Sequence, residues 1–308
     1  MEIQREIVLS DGAAPNHAAP NHAAPNHTVR FRFAGYSDRG AVRRINEDSY
    51  LAALPLFVVA DGMGGHAFGD RASQAAIAAF ADSFVDTEVA SPQRVLDAIR
   101  HANDAVLAVG DSADADGSLS GTTLSGVAFV ETGPRGNYHW MAFNVGDSRV
   151  YSWDGRTLLQ LSVDHSAVQE LVDQGEITRL EAHSHPERNV VTRALGAEAE
   201  VDADIWLLPA RDRQTFLVCS DGLTKELDDD EIARIIVFHA AESARTAPGE
   251  YAISVAERLV NAAVAAGGSD NVTVIVVQSE AVGTAVVSDD TVDRDAMPAQ
   301  LEETRPRG

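Results

Sequence analysis

The sequence predicts an α+β fold in which two antiparallel sheets pack face to face and helices cover their outer sides, an α-β-β-α sandwich of four layers. Three observations carry the prediction. Apolar runs rich in β-branched and aromatic residues mark strands at 57–60, 122–130, 138–145, 149–153, 157–161, 215–219 and 272–277. Several follow one another through tight turns, with Asp154-Gly155 as a hairpin signal, so they pair antiparallel. Helical patterns fall into two groups, one before the central strands and one near the C-terminus, so they cover sheet faces rather than alternate with strands. In the first group Ala72, Ala76, Ile77, Phe80 and Phe84 share one face of a helix over 71–84. Ser91-Pro92 then starts a second helix, whose apolar spacing runs through Val95, Ile99, Ala102 and Val106 and ends by Gly110. The later group has a helix after Gly249, with Val255, Ala256, Leu259, Val260 and Ala263 at helical spacing before Gly267-Gly268 stops it.

Flanking composition sets the domain limits. Residues 14–27 repeat Ala-Pro-Asn-His three times, and proline in every unit blocks a helix while large apolar groups are scarce. We therefore expect a disordered extension over 1–30, one folded domain over 31–279, and a disordered tail over 280–308. The repeat histidines act as spacer residues rather than ligands. No apolar run approaches the roughly 18–20 residues needed to span a membrane, and the N-terminus lacks a secretory pattern. The single cysteine, Cys219, excludes a disulfide framework and reads as a small buried hydrophobe. These features predict a cytoplasmic protein without membrane association. With 47 acidic against 24 basic residues the net charge is −23, a field that repels phosphate backbones and argues against a nucleic-acid partner.

The same acidity points toward cations. Asp61 ends the apolar run Leu56-Phe57-Val58-Val59-Ala60, Asp147 and Asp221 end comparable runs, and Asp270 precedes the last one. Carboxylates at strand ends can converge on a hard divalent ion, because strands fix their geometry and charged oxygens suit Mg²⁺ and Mn²⁺. The bland alternative is that Asp before Gly or Ser simply forms turns. It stays open for Asp147 in Gly146-Asp147-Ser148; for the other three, convergence without a cation would be repulsive.

The ordered segments Arg43-Arg44-Ile45-Asn46-Glu47-Asp48, Val59 to His66, Ser120-Gly121-Thr122-Thr123, Gly146-Asp147-Ser148-Arg149, Asp164-His165-Ser166, Asn189 to Gly196, Ser220-Asp221-Gly222 and Ser269-Asp270-Asn271 together resemble the bacterial branch of the PP2C-like, metal-dependent Ser/Thr protein phosphatases. The resemblance spans about Phe33 to Gln278. It implies the same four-layer sandwich, with two Mn²⁺ or Mg²⁺ ions at one sheet end. Asp61 would bridge both ions, Gly62 would offer its carbonyl, and Asp221 and Asp270 would complete the shell of one. Glu47 would act through a water with Asp48 beside it, and Asp147 would hold a weaker third ion together with Asp221. The implied reaction is hydrolysis of phosphoserine or phosphothreonine by a hydroxide held between the metals, with Arg43 clamping the phosphate and Arg44 left as a surface charge. Animal members carry a candidate proton donor, a histidine, directly after Asp-Gly. Here Met63 stands there and the nearest histidine is His66. Three readings stay open for His66: proton donor, substrate contact, or packing at a helix start. Residues 165–193 resemble a flap beside the site, the expected mobile substrate-contacting element; His183 and His185 within it are expected to face solvent. Implied partners are phosphorylated proteins and a Hanks-type Ser/Thr kinase, with a monomer as the default. The alternatives are a non-catalytic phosphoprotein-binding module and a hydrolase of small phosphate esters.

Overall fold

A computed structural model of the chain describes residues 2–9, 27–64, 68–85, 89–112, 120–133, 136–211, 213–243 and 254–282. The first sheet takes the order β1-β2-β12-β11-β8-β9, formed by β1 (Ile3–Leu9), β2 (His27–Asp38), β12 (Val272–Val282), β11 (Arg213–Cys219), β8 (Arg149–Trp153) and β9 (Leu158–Gln160). The second takes the order β10-β7-β6-β4-β3, from β10 (Asp204–Pro209), β7 (Tyr138–Val145), β6 (Leu124–Glu131), β4 (Leu56–Gly64) and β3 (Asp48–Ala53), with the short β5 (Ser120–Thr122) paired to the end of β4. Every strand pair in both sheets is antiparallel.

Alternation along the strands builds the layers. In β4, Phe57 and Val59 point into the core between the sheets while Leu56 and Val58 face the helices. The inter-sheet core gathers Phe31, Phe57, Phe129, Trp140 and Phe216, whose rings meet edge-on or tilted, with Phe31 and Phe129 5.2 Å apart between centroids. Outside the second sheet lie α1 (Gly69–Ser83) and α2 (Pro92–Ser112), burying Ala72, Ala76, Phe80, Val95, Ile99 and Val106. Outside the first sheet lie α6 (Asp229–Ser243) and α7 (Val255–Ala266), with Ile232, Leu259, Val260 and Ala263 buried. Ser254 caps α7, its side chain accepting from the Glu257 N–H. The four-layer sandwich expected from the sequence is thus the one observed.

The structure corrects the expected limits. Residues 3–9 and 27–30, placed in a disordered extension, form β1 and the start of β2, because β1 covers the edge of β2 and buries Ile7 and Leu9. The repeats over 14–26 lie outside the described residues, as does the tail beyond 282, and β12 continues to Val282 rather than ending before 280. The run expected as one strand over 122–130 breaks at Thr123 into β5 and β6. Among the described residues, no helix is long and apolar enough to cross a membrane. Cys219 is fully buried, and burial pushes its thiol well up, as the bland reading requires.

Candidate metal centre

All four predicted aspartates come to one end of the sandwich. Asp61 sits near the end of β4, opposite Asp48 on β3. Asp147 follows β7 in the turn where Gly146 adopts φ +105°, a conformation that favours glycine. Asp221 follows β11 and opens the short helix α5 (Asp221–Thr224), and Asp270 stands two residues before β12. Strand ends from both sheets therefore deliver carboxylates to a single cavity of about 1030 Å³, lined by Asp61, Asp147, Asp221 and Asp270 with Arg43 and Glu47.

Hydrogen bonds lock the backbone beneath them. The Asp61 N–H donates to Thr123 Oγ1 at 3.0 Å, and the Asp61 carbonyl accepts from Thr123 N–H at 2.9 Å and from Thr122 Oγ1 at 2.9 Å. Thr123 is the residue that separates β5 from β6, so the strand break serves the site. Gly62 is required by packing: a Cβ there would overlap the Gly69 carbonyl oxygen and stand 2.6 Å from that of Glu47. Asn271 ties down the loop that carries Arg43 and Glu47. Its Oδ1 accepts from Glu47 N–H at 2.8 Å, and its Nδ2 donates to the Arg39 and Ile45 carbonyls, each at 2.9 Å.

The electrostatics are those of crowded acids. Asp48 accepts from Thr273 Oγ1 at 2.6 Å and Ser220 Oγ at 2.8 Å, yet burial and the charges of Asp221 and Asp270 still push its carboxyl up to about 7. Burial, then Asp221 and Asp164, pushes Asp147 up to about 7 as well. Asp61 is raised well above the usual carboxylate range by burial and by Asp48, Asp221, Asp147 and Asp270. Asp221 is raised by burial with Asp270 adding, although Lys225 opposes. For Asp270 burial pushes upward, but the hydrogen bond and charge of Lys225, the Asn271 N–H and Arg43 outweigh it and hold the carboxyl low.

Two cations engage these acids. Arg43 makes a two-pronged contact with Asp270, Nε to Oδ1 at 2.8 Å and Nη2 to Oδ2 at 2.9 Å. Lys225 Nζ lies 2.5 Å from Asp221 Oδ2 and 2.7 Å from Asp270 Oδ2. Among the described residues, no group of three or more His, Cys, Asp or Glu side chains is already drawn together as a metal cage. The residues nonetheless fit a hard divalent ion. Asp221 Oδ1 and Asp48 Oδ1 are buried with no hydrogen-bond partner, and the donors are carboxylates and backbone carbonyls without cysteine or histidine.

The segment 165–193, the one expected as a flap, has residues lining the same cavity. Its two short helices, α3 (Ala167–Asp173) and α4 (Arg179–Ala182), begin at Ser166 and Thr178, with a capping box between Thr178 and Glu181. Val168, Val172, Arg179, His183 and Arg188 face the same cavity as the aspartates, so His183 is exposed to the cavity side rather than to bulk solvent alone. Arg44 is exposed, in keeping with a surface charge. His66 lies outside the described residues. Lys225 was not singled out from the sequence, though a signal was present: it is the only lysine in the chain.

A model of the family described as protein phosphatase 2C matches residues 41–261. The chain belongs to that family. Among its relatives, the Serine/threonine protein phosphatase PstP of Mycobacterium tuberculosis is 39% identical over 250 residues, covering 81% of this chain and 45% of the relative. The chain thus spans about half the length of that first relative. The Serine/threonine phosphatase stp of Listeria monocytogenes is 33% identical over 254 residues, covering 79% of this chain and 94% of the relative. A crystal structure of the PstP catalytic domain in complex with two manganese ions superposes with a TM-score of 0.68 at 36% identity, covering 82% of this chain and 99% of that one. Family membership accounts for the two-sheet sandwich with its covering helices.

Proposed function

We propose that the protein is a metal-dependent protein Ser/Thr phosphatase whose centre is the acidic cavity at the sandwich end. The observation that carries the reading is the delivery of Asp61, Asp147, Asp221 and Asp270 from two sheets to one cavity with buried carboxylate oxygens unpartnered. Asp61, the Gly62 carbonyl, Asp221 and Asp270 would hold two Mn²⁺ or Mg²⁺ ions, Asp147 with Asp221 a third, and Glu47 and Asp48 would support them from behind. The manganese-bound PstP structure supports this choice of metal. Bound metal would supply charge stabilisation for the phosphoryl oxygens and lower the pKa of an attacking water.

The chain's own residues do the rest. The Thr122, Thr123 and Asn271 hydrogen bonds fix Asp61 and the Glu47 loop before substrate arrives, so little reorganisation is left to the reaction. Arg43, its side chain 47% exposed at the cavity wall, here grips Asp270 through Nε and Nη2; with Asp270 turned to a metal, that planar fork would be free to take two phosphate oxygens. The cavity of about 1030 Å³ extends from the aspartates to Val168, Val172, Arg179 and Arg188, more space than a phosphate group alone fills, which favours a protein substrate over a small phosphate ester. Substrates would be cytosolic proteins phosphorylated by a Hanks-type Ser/Thr kinase.

The test is hydrolysis of a phosphothreonine peptide with and without Mn²⁺, alongside a sugar phosphate. We expect Mn²⁺-dependent release of phosphate from the peptide, abolished by chelator and lowered by a factor of about 100 or more in Asp61→Asn. Turnover that survives chelator would overturn the reading. Mn²⁺ binding without any turnover would favour the phosphoprotein-binding module instead.

A further inference from the structure

A cation at the acidic centre is also the chain's single lysine. Of 24 basic residues one is lysine, Lys225, and its ammonium stands between two of the four converging aspartates. Its placement is built in. Lys225 caps the one-turn α5 that Asp221 opens, its N–H donating to the Asp221 carbonyl at 2.8 Å, and the side chain returns over the carboxylate four residues earlier. Leu223 and Leu227 are buried on either side, which fixes the backbone and leaves the four-carbon stem as the movable part. The side chain is 28% exposed and lines the cavity, so open space exists for it to turn into.

Charge and geometry make this contact incomplete. Arg43 pairs with Asp270 from one side, Lys225 is the cation that reaches Asp221, and Asp221 Oδ1 is still left without a partner while Oδ2 binds Lys225. A compact ammonium on a flexible stem resembles a small hydrated cation more than a planar guanidinium does, so lysine here can occupy a metal's place and still leave it.

We propose that Lys225 is an internal counter-cation that holds the metal-free acidic centre together and is displaced from Asp221 and Asp270 when a divalent ion binds. The inference rests on the metal-centre reading above and adds to it a competitor within the chain. Metal binding then exchanges an internal ion pair for an external ion. Lys225 sets the concentration at which that exchange occurs, and the released ammonium is left facing the cavity.

Because Lys225 is the only ε-amine, the full chain reports on it directly. The wild-type protein is treated briefly with an amine-acetylating reagent with and without Mn²⁺, and acetylation at Lys225 is quantified by mass spectrometry of its peptide. Titration calorimetry and thermal unfolding, with Mn²⁺ and with chelator, compare wild type with Lys225→Met and Lys225→Gln. We expect Mn²⁺ to raise Lys225 acetylation several-fold. Both variants should bind Mn²⁺ about tenfold more tightly, the scale of one lost charge-assisted hydrogen bond, and show a lower Tm in chelator with a larger Mn²⁺-induced rise. If Mn²⁺ binds but leaves acetylation unchanged or lowers it, the displacement is overturned even where a variant does not fold. Equal or weaker Mn²⁺ binding in a folded variant also overturns it. If the wild type binds no Mn²⁺, the metal-centre reading itself fails, an outcome that calorimetry separates from the other two.

Discussion

At Gly62 the chemistry of the site and the packing of the fold demand the same residue. The sequence suggests a glycine there to leave the backbone carbonyl accessible; the structure adds that α1 begins so close to the end of β4 that a methyl group would overlap Gly69. Gly62→Ala is therefore expected to destabilise the protein by roughly 1–3 kcal/mol, the usual cost of overpacking, and to weaken Mn²⁺ binding. Chemical denaturation and calorimetry check it; a variant with wild-type stability and Mn²⁺ affinity would mean that the helix start moves aside freely. The aspartates were legible one by one because each ends or precedes an apolar run. Their supporting partners were not. Thr123, Ser220, Thr273 and Asn271 carry no distinctive spacing, and they matter only because distant strands bring them under Asp61, Asp48 and Glu47.

At the scale of elements, legibility followed the strength of periodicity. Helices α1, α2 and α7 and the central strands carry clear apolar patterns, and the structure places them within a few residues of the expected limits. Strand β2 alternates Arg30, Phe31, Arg32 and Phe33, but it adjoins the proline repeats, which dominate the composition of that region. Strand β1 is too short to announce itself: of its residues only Ile7 and Leu9 are buried, and its ladder hydrogen bonds need β2 as partner. Deleting residues 2–9 should thus cost on the order of 3 kcal/mol through Ile7 and Leu9 and expose the β2 edge to self-association. Urea denaturation with light scattering tests this, and unchanged stability would mean that β1 contributes nothing to the domain. Mn²⁺ binding should persist in the folded fraction, since β1 lies at the sheet edge and contributes no residue to the cavity.

At the scale of the whole molecule, residues 165–193, the second sheet and the metal end meet at His165. Its Nδ1 accepts from the Gly146 N–H at 3.0 Å, so the neutral ring carries its proton on Nε2, which faces Asp204 Oδ2 at 3.3 Å. Arg193 also approaches that edge and donates to Asp204 Oδ1 at 2.9 Å. Burial, then the Arg193 charge, lowers the His165 pKa, against the opposing pull of Asp204 and Asp164. A pKa lower in the folded than in the unfolded state gives a contribution present above about 6.5 and lost as pH falls through the folded value. Between pH 7.5 and 5.5 this His165 contribution falls, while Asp48, Asp61 and Asp147, whose carboxyls are raised in the fold, contribute with the opposite sign. His165→Asn keeps an acceptor for Gly146 but cannot take up the proton, so relative to wild type its stability should shift upward at pH 5.5 compared with pH 7.5. Parallel denaturation curves at the two pH values decide it, and an identical change in both proteins would remove His165 from the account.

By itself the sequence determined the layer order, the strand ends that carry Asp61, Asp147, Asp221 and Asp270, and the family, because periodicity and short motifs are properties of neighbouring residues. Only the tertiary structure decided what those acids meet. Lys225 became notable when α5 folded it back over Asp221 and β12 brought Asp270 alongside, and Arg43 reached Asp270 across 227 positions of chain. Pairings of that kind depend on sheet order and on the burial that raises carboxylate pKa values, and local sequence encodes neither.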